Sequence, residues 1–374
     1  MKKIGILGGG QLGRMLLQSA VNYPVKTYLM ENDEQAPAAH LAHCFTKGDI
    51  TAYDDVYNFG KHLDAITIEI ENVNIEALEK LFEEGVKVYP HPHALRTIKN
   101  KILQKEFYKT NEIPTSEFIV TNSLDELKTH TSFLPAVHKL AMGGYDGKGV
   151  QVLNYESDLN KGFDAPSVLE KKINIHQEIA VIIAVNETKQ TAIYPPVEMV
   201  FNNILNLLDY QICPAAISEK VLWKSEAIAL QLIKQLNSPG IFAVELFADK
   251  DENVFVNEIA PRVHNSGHHT IEGNYCSQFD MLWRIMLGYP LGNTDVILPS
   301  ALVNIIGENN HNGEAMFEGL EEVLKMDNVF VHLYGKSNTK PGRKMGHVTI
   351  LSNEKQELIH KANQIKHTLF VKSN

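Results

Sequence analysis

The sequence predicts an α/β protein: a doubly wound parallel sheet first, then a larger mixed α/β region, then a small α+β portion. Three observations carry this expectation. Residues 3 to 90 alternate short apolar strands with amphipathic helical patterns, as βαβ units do. Pro90 and Pro92 then break the chain. Beyond them, strand patterns dominate and are joined by polar turns, the mark of a mixed sheet. The expected boundaries are 1–93, 94–292 and 293–374.

Taken in order, Lys3 to Leu7 reads as a strand, Gln11 to Asn22 as a helix and Val25 to Met30 as a strand. A strand at Ala65 to Glu69, a helix from Ile75 to Glu84 and a strand at Val86 to Tyr89 complete the first region. One helix is expected from Ala94 to Thr110. Strands are expected at Phe133 to Leu140, Gly149 to Leu153, Val168 to Lys171, Ile179 to Val185 and Thr191 to Pro195. Lys220 to Leu236 is a long amphipathic helix; Ile241 to Ala248 and Val254 to Ile259 are apolar strands around the polar turn Asp249 to Asn253. From about Ile297 come strands at Ala301 to Ile306, Val329 to Tyr334 and Met345 to Leu351, and a helix from Lys355 to Leu369. The sequence shows neither an internal repeat nor a low-complexity linker.

A net charge of -10 excludes general attraction to nucleic acid or acidic membranes, so any phosphorylated ligand must meet locally concentrated positive charge. Cys44, Cys213 and Cys276 are odd in number and fit no metal or redox spacing, which suits a reducing compartment. The N-terminus goes straight into a strand without a signal-peptide pattern, and no run reaches the about 18 apolar residues of a membrane span. A cytoplasmic protein is expected.

The chemistry concentrates in Asn257 to His268 (Asn-Glu-Ile-Ala-Pro-Arg-Val-His-Asn-Ser-Gly-His) together with Glu245. If the turn is the four residues Lys250 to Asn253, Glu245 lies directly opposite Glu258. Facing like charges destabilise a sheet, and a divalent cation reverses the sign. Two acids on a solvated strand edge are the bland alternative. Arg262, His264 and Asn265, between Pro261 and Gly267, form a polar loop suited to an anion. His264, His268 and His269 raise a metal alternative, which Pro261 and Gly267 oppose by breaking the helix such a site would need.

Gly8 to Gly13 (Gly-Gly-Gly-Gln-Leu-Gly) follows a strand and opens a helix, so its amides could approach a phosphate. Glu31 stands where a dinucleotide fold keeps its ribose-binding acid. That reading favours an NAD-type protein; close helix packing is the alternative. Glu71 and Asn72 close another strand, where they would bind a sugar or amine, or Asn72 would cap the next helix. Lys139 precedes Gly143 to Gly149, where four glycines in seven residues suit a lid over phosphates. Glu170 to Ile173 would present backbone to a base, and Glu178 would accept from ribose hydroxyls. Lys336, Arg343 and Lys344 form a candidate basic patch in an acidic protein.

Gly8 to Met15, Gly143 to Gly149, Asn257 to His268, Tyr334 to Lys336 and Arg343 to His347 occur in that order and together resemble the 5-(carboxyamino)imidazole ribonucleotide synthase family. The resemblance covers essentially the whole chain. It implies an ATP-grasp fold with an N-terminal pre-ATP-grasp, substrate-binding domain, a glycine-rich lid at about 140–200 and a small C-terminal domain. It implies carboxylation of 5-aminoimidazole ribonucleotide with ATP and bicarbonate, Mg²⁺ as metal, and a homodimer. Carried over by position, Glu245 and Glu258 would hold Mg²⁺. ATP would meet Lys101, Lys139, Gly144, Tyr145, Asp146, Gly147, Lys148, Gly149, Glu170, Lys171, Lys172, Ile173, Glu178, Asn257 and Glu258. Arg262, His264 and Asn265 would be catalytic at bicarbonate, with His264 a proton acceptor. Gln11, Leu12, Glu71, Asn72, Tyr145, Asp146, Lys336, Arg343 and Lys344 would hold the ribonucleotide. The chain departs from the family pattern at Lys101, at Leu140 to Met142, and at Met199 and Phe201. Two other readings are an NAD-dependent oxidoreductase and a catalytically weak nucleotide-binding ATP-grasp protein.

Overall fold

The structure is a computed structural model that describes residues 1–144, 149–202 and 207–373. The first region is a parallel sheet of β1 (Lys2–Leu7), β2 (Val25–Glu31), β3 (Cys44–Lys47), β4 (Ala65–Ile68) and β5 (Lys87–Tyr89), ordered β3-β2-β1-β4-β5. Every residue of β4 is buried, as expected of a parallel strand covered on both faces. The covering helices are α1 (Gln11–Ala20), α2 (Tyr53–Gly60) and α3 (Ile75–Glu83). Asn74 caps α3, its side chain accepting from Ala77 N–H at 2.8 Å. The cap expected of Asn72 is therefore made two residues later, and Asn72 itself is exposed.

The single helix expected from Ala94 to Thr110 is two, α4 (Pro92–Lys99) and α5 (Lys101–Thr110). Asn100 divides them with extended backbone, and its Oδ1 accepts from Ile102 N–H at 2.9 Å. The apolar periodicity runs through this break, but an Asn offered free amides prefers to cap.

An antiparallel sheet follows, ordered β6-β9-β7-β8: β6 (Phe118–Thr121), β7 (Ala136–Leu140), β8 (Val150–Leu153) and β9 (Ser167–Lys171), with α6 (Leu124–Lys128) beside it. The largest sheet joins β10 (Gln177–Val185), β11 (Thr191–Ile193), β12 (Val197–Asn202), β13 (Leu207–Cys213), β14 (Gly240–Ala248) and β15 (Val254–Ala260). It is flanked by α7 (Glu219–Leu236), the short α8 (Thr270–Gly273) and α9 (Gln278–Leu287). It does not stop at the expected boundary near residue 293. β13 pairs with β16 (Ser300–Ile306), which continues to β20 (Lys344–Leu351) and β18 (Val329–Leu333). The remaining elements are β17 (Gly313–Glu318), α10 (Leu320–Leu324), β19 (Asn338–Thr339), α11 (Lys355–Thr368) and β21 (Phe370–Ser373).

The regions also share a core. Ile4, Leu12 and Leu16 pack with Ile182, Ala243 and Trp283, and the buried Trp283 donates its ring N–H to Leu16 O at 2.8 Å. Leu12 is thus a core residue, and its side chain is not available to substrate. Sheet and core together fix the N-terminal glycine loop, the β14–β15 hairpin and the C-terminal strands around one cleft.

Candidate active site

The β14–β15 hairpin sets the geometry. Ala248 pairs with Val254, so the turn is the five residues 249–253 rather than four. A register shift between Glu245 and Leu246 then absorbs one residue around Asn257, and Glu245 comes to lie opposite Glu258. The expected pairing is reached by a bulge, a device that re-aims side chains at functional sites. Glu178 lies two residues from Ala180, which pairs with Glu245, so period-two alternation puts it on the same face.

Basic residues converge on these acids. Lys101, from the start of α5, reaches Glu258 at 2.7 Å, and Lys139, from the end of β7, donates to Asn257 Oδ1 at 2.9 Å. The Lys101 ammonium holds the Glu258 carboxyl below the usual range, even though 44% of that side chain faces the open cleft. Glu245 goes the other way, raised first by burial and then by Glu258. Burial likewise pushes Glu178 up to about 7. Buried Met199 lies directly opposite Glu178, which gives that departure from the family pattern a physical effect.

Behind this row lies a cluster the sequence reading missed. Lys105, only 2% exposed, binds Glu170 at 2.9 Å, and Lys139 binds the other oxygen at 3.1 Å. Glu170 is half-neutralised from each side and held down at about 2 against its own burial. Lys105 is lowered to about 8. Both shifts are downward, which favours the charged form of Glu170, held by two cations, but the neutral form of Lys105, which is desolvated and shares its one anion with Lys139. The Lys101-to-Lys105 spacing of one helical turn was the available signal. Glu170 therefore serves as a counter-ion. The Lys171 ammonium turns away to Phe133 O and Leu134 O, at 3.0 and 3.1 Å, and that of Lys172 to Asn154 Oδ1 at 3.0 Å. Neither ammonium is committed to phosphate, and any reading of a base falls to backbone near Ile173.

The anion loop leaves β15. Arg262 Nε lies 2.8 Å from Glu71 Oε1, a contact between the N-terminal region and this loop that is not aligned along the N–H bond. His264 Nδ1 is 2.9 Å from Ser266 Oγ and its Nε2 is 3.8 Å from Glu245. Burial, helped by Arg262, drives His264 down to about 3, so the ring is neutral at physiological pH. That is the form a proton acceptor needs, but a weakly basic one. Asn265 is buried and its Oδ1 lacks a protein partner, as suits an acceptor awaiting a ligand donor.

Of the ribonucleotide candidates, Gln11, Lys336 and Lys344 come together. Lys336 donates to Gln11 Oε1 at 2.7 Å and to Lys344 O at 2.6 Å. Arg343 donates to Asn338 O at 2.8 Å on the surface. Tyr145, Asp146, Gly147 and Lys148 lie outside the described residues. The flanking Gly144 and Gly149 approach closely: Gly149 has φ +79°, and a Cβ there would come within 3.0 Å of Gly144 Cα.

The N-terminal glycine loop overturns the dinucleotide reading. Glu69 accepts from Gly10 N–H at 2.6 Å and Gly13 N–H at 2.5 Å, while Glu31 accepts from Gly9 N–H at 2.9 Å. The amides that would cradle a pyrophosphate already hold carboxylates. α1 has no side chain at its cap position, so Glu69 meets amides that would otherwise be orphaned. Burial raises Glu69 while the amide bonds oppose it.

A metal would be held by few protein groups. Among the described residues no cluster of three or more His, Cys, Asp or Glu could hold one, which also removes the histidine-metal alternative. Glu245 facing Glu258 fits Mg²⁺, which takes one or two carboxylates and completes its shell from phosphates and water. Among the described residues no helix is long and apolar enough to cross a membrane.

Comparison with known proteins agrees over the full length. Family models match for a ribonucleotide synthetase preATP-grasp domain over residues 1–99, an ATP-grasp domain over 106–279 and a phosphoribosylaminoimidazole carboxylase C-terminal domain over 300–361. The N5-carboxyaminoimidazole ribonucleotide synthase of Aquifex aeolicus is 36% identical, covering 98% of this chain and 96% of that protein. The chloroplastic phosphoribosylaminoimidazole carboxylase of Vigna aconitifolia is 33% identical over 94% of this chain, which spans only 64% of its length. The Dictyostelium discoideum bifunctional purine synthesis protein is 34% identical, and the chain spans 36% of it. The crystal structure of N5-carboxyaminoimidazole ribonucleotide synthetase from Thermotoga maritima superposes with a TM-score of 0.93 at 36% identity over all of both chains. The Aspergillus clavatus enzyme, solved with ADP and 5-aminoimidazole ribonucleotide, gives 0.88 at 32% identity over 98% of each chain. The chain belongs to the N5-carboxyaminoimidazole ribonucleotide synthase family of ATP-grasp ligases.

Proposed function

We propose that the chain carboxylates 5-aminoimidazole ribonucleotide at the expense of ATP and bicarbonate, giving N5-carboxyaminoimidazole ribonucleotide, ADP and phosphate in purine synthesis. The observation that carries this reading is the facing pair Glu245 and Glu258, with Lys101 and Lys139 beside it and the Arg262–Asn265 loop continuing the same strand. Glu245 and Glu258 would hold Mg²⁺, which supplies charge neutralisation at the phosphates. Lys101 and Lys139 would do the same from the protein side, since phosphoryl transfer is served chiefly by positioning and electrostatics. Ile173 backbone and Glu178 would meet adenine and ribose.

Bicarbonate would sit at Arg262, His264 and Asn265. A bicarbonate oxygen attacks the γ-phosphorus as the bond to ADP breaks, giving carboxyphosphate. The substrate amine then forms the N–C bond as phosphate leaves. Because His264 is neutral and weakly basic, we assign it to orienting bicarbonate by hydrogen bonding, and assign the amine proton to the departing phosphate, the stronger base. Gln11, Glu71, Lys336, Arg343 and Lys344 would hold the ribonucleotide. The proposed units are 1–93, 94–292 and 293–374, in a homodimer. The unpaired cysteines support a cytoplasmic setting.

The test is ADP release with the aminoimidazole ribonucleotide and bicarbonate each supplied or withheld. Turnover that needs both supports the proposal. ATP binding without substrate-dependent turnover would instead support a weak nucleotide-binding protein, the reading that the Leu140–Met142 and Met199 departures favour.

A further inference from the structure

Behind the anion loop runs a polar seam that the proposed reaction does not use. Gln278, fully buried at the start of α9, accepts from His264 N–H at 2.9 Å and donates to His264 O at 2.7 Å. Those two bonds fix which end of the amide is nitrogen. The same nitrogen lies 3.1 Å from His268 Nδ1, which must therefore accept, leaving the His268 proton on Nε2. That Nε2–H is fully buried and has no protein partner. Across the seam on β20, His347 shares a 2.9 Å hydrogen bond between Nδ1 and the Tyr334 hydroxyl, and its Nε2 is also buried without a protein partner. The two rings are 4.9 Å apart at their centroids. His332 stacks on His347 at 4.5 Å and is bound at 2.6 Å by Glu272, whose second oxygen lacks a protein partner too. Asn304, opposite His347 in the sheet, adds another such oxygen.

Native interiors rarely leave such atoms unpaired, and internal water commonly completes the bonds that protein groups do not. We propose that ordered water fills this seam, and that His268 and His347 are positioning residues that seat the bicarbonate loop against the C-terminal strands. His268 acts through Gln278, which grips both backbone polar groups of His264. His347 acts through the water it shares with His268, and Tyr334 fixes the His347 ring. Burial keeps both imidazoles neutral, so each presents one donor and one acceptor. The consequence is a link between the strand that begins at Lys344 in the basic patch and the loop that would receive bicarbonate. The inference rests on the bicarbonate reading of that loop.

The experiment is steady-state kinetics of the full chain. His347→Leu, which keeps bulk but loses both nitrogens, should raise KM for bicarbonate about ten-fold, the scale of one lost hydrogen bond, while KM for ATP stays within about two-fold. His347→Gln, which restores a polar atom near the Nε2 position, should recover most of that loss. A purely structural defect would move both constants together, and that result overturns the proposal, as does an unchanged bicarbonate KM. If His347→Leu does not fold, Tyr334→Phe removes only one hydroxyl and should show the same selectivity at smaller size. A crystal structure with no water at His268 Nε2 and His347 Nε2 also overturns it. Wild-type turnover independent of bicarbonate would sink the reading of the loop itself, a failure separate from this one.

Discussion

Two acidic sites, each at a strand end or hairpin facing the cleft, meet opposite fates. At the N-terminal glycine loop, Glu69 spends both oxygens on Gly10 and Gly13 amides. At the β14–β15 hairpin, Glu245 faces another carboxylate, Glu258, which Lys101 binds at 2.7 Å, and the His264 ring 3.8 Å from Glu245 is neutral. Fixed amide dipoles complete the first site, so it is closed to anions. At the second, Lys101 compensates only Glu258, and Glu245 is raised by burial and by Glu258, so a divalent cation would relieve the pair and the site suits one. A glycine-rich fingerprint alone does not announce a ligand; what already occupies its amides decides.

The sharpest way to break this contrast is Glu258→Ala, which should cut ADP release by about 10³-fold, several kcal/mol of lost metal and phosphate stabilisation. Unchanged turnover at saturating magnesium would end the metal assignment. Next comes Arg262→Lys, where loss of the rigid guanidinium fork should cost about 10²-fold in kcat/KM despite the retained charge. Equal rates would show that only charge matters at that loop. Glu69→Ala should behave unlike Glu258→Ala: two part-buried amides lose their acceptor, so denaturant unfolding should reveal a loss of about 1–3 kcal/mol. KM for ATP should hold in the folded enzyme. If Glu69→Ala abolishes nucleotide turnover as Glu258→Ala does, the two sites are not different in kind.

The smallest effect is one of pH. Glu178 is raised from 4.5 to about 7 by burial, so between those values the folded state binds more protons than the unfolded state. Its contribution to stability is present in full below about 4.5 and is lost as pH rises towards about 7. Glu178→Gln should flatten that part of a urea-midpoint profile measured from pH 5 to 7.5; an unaltered slope would place the titration elsewhere.

Much of this was legible in the sequence because period and punctuation are local. The parallel sheet, the long helix α7 and the β14–β15 hairpin follow from apolar spacing. Adjacent short elements were not: β3 is only partly buried and shows no clear alternation, and β17 has no fully buried residue and exposes Met316 between Glu314 and Glu318. The facing of Glu245 and Glu258 was foreseen through the wrong loop length, because a bulge at Asn257 is a tertiary choice. Lys105 stayed hidden because nothing local marks a buried lysine until its partner, Glu170, arrives from β9. The Glu69 plug was hidden for the same reason: the loop and its occupant are 56 residues or more apart.

The pairing of β13 with β16 carries one more consequence. Cutting the chain near residue 293 would strip β13 of its neighbour and leave a row of unsatisfied amides and carbonyls along an edge never meant to meet water. Such a fragment would recruit other chains to that edge and aggregate, so the C-terminal strands act as a guard on the solubility of the catalytic sheet as well as a contributor to its cleft.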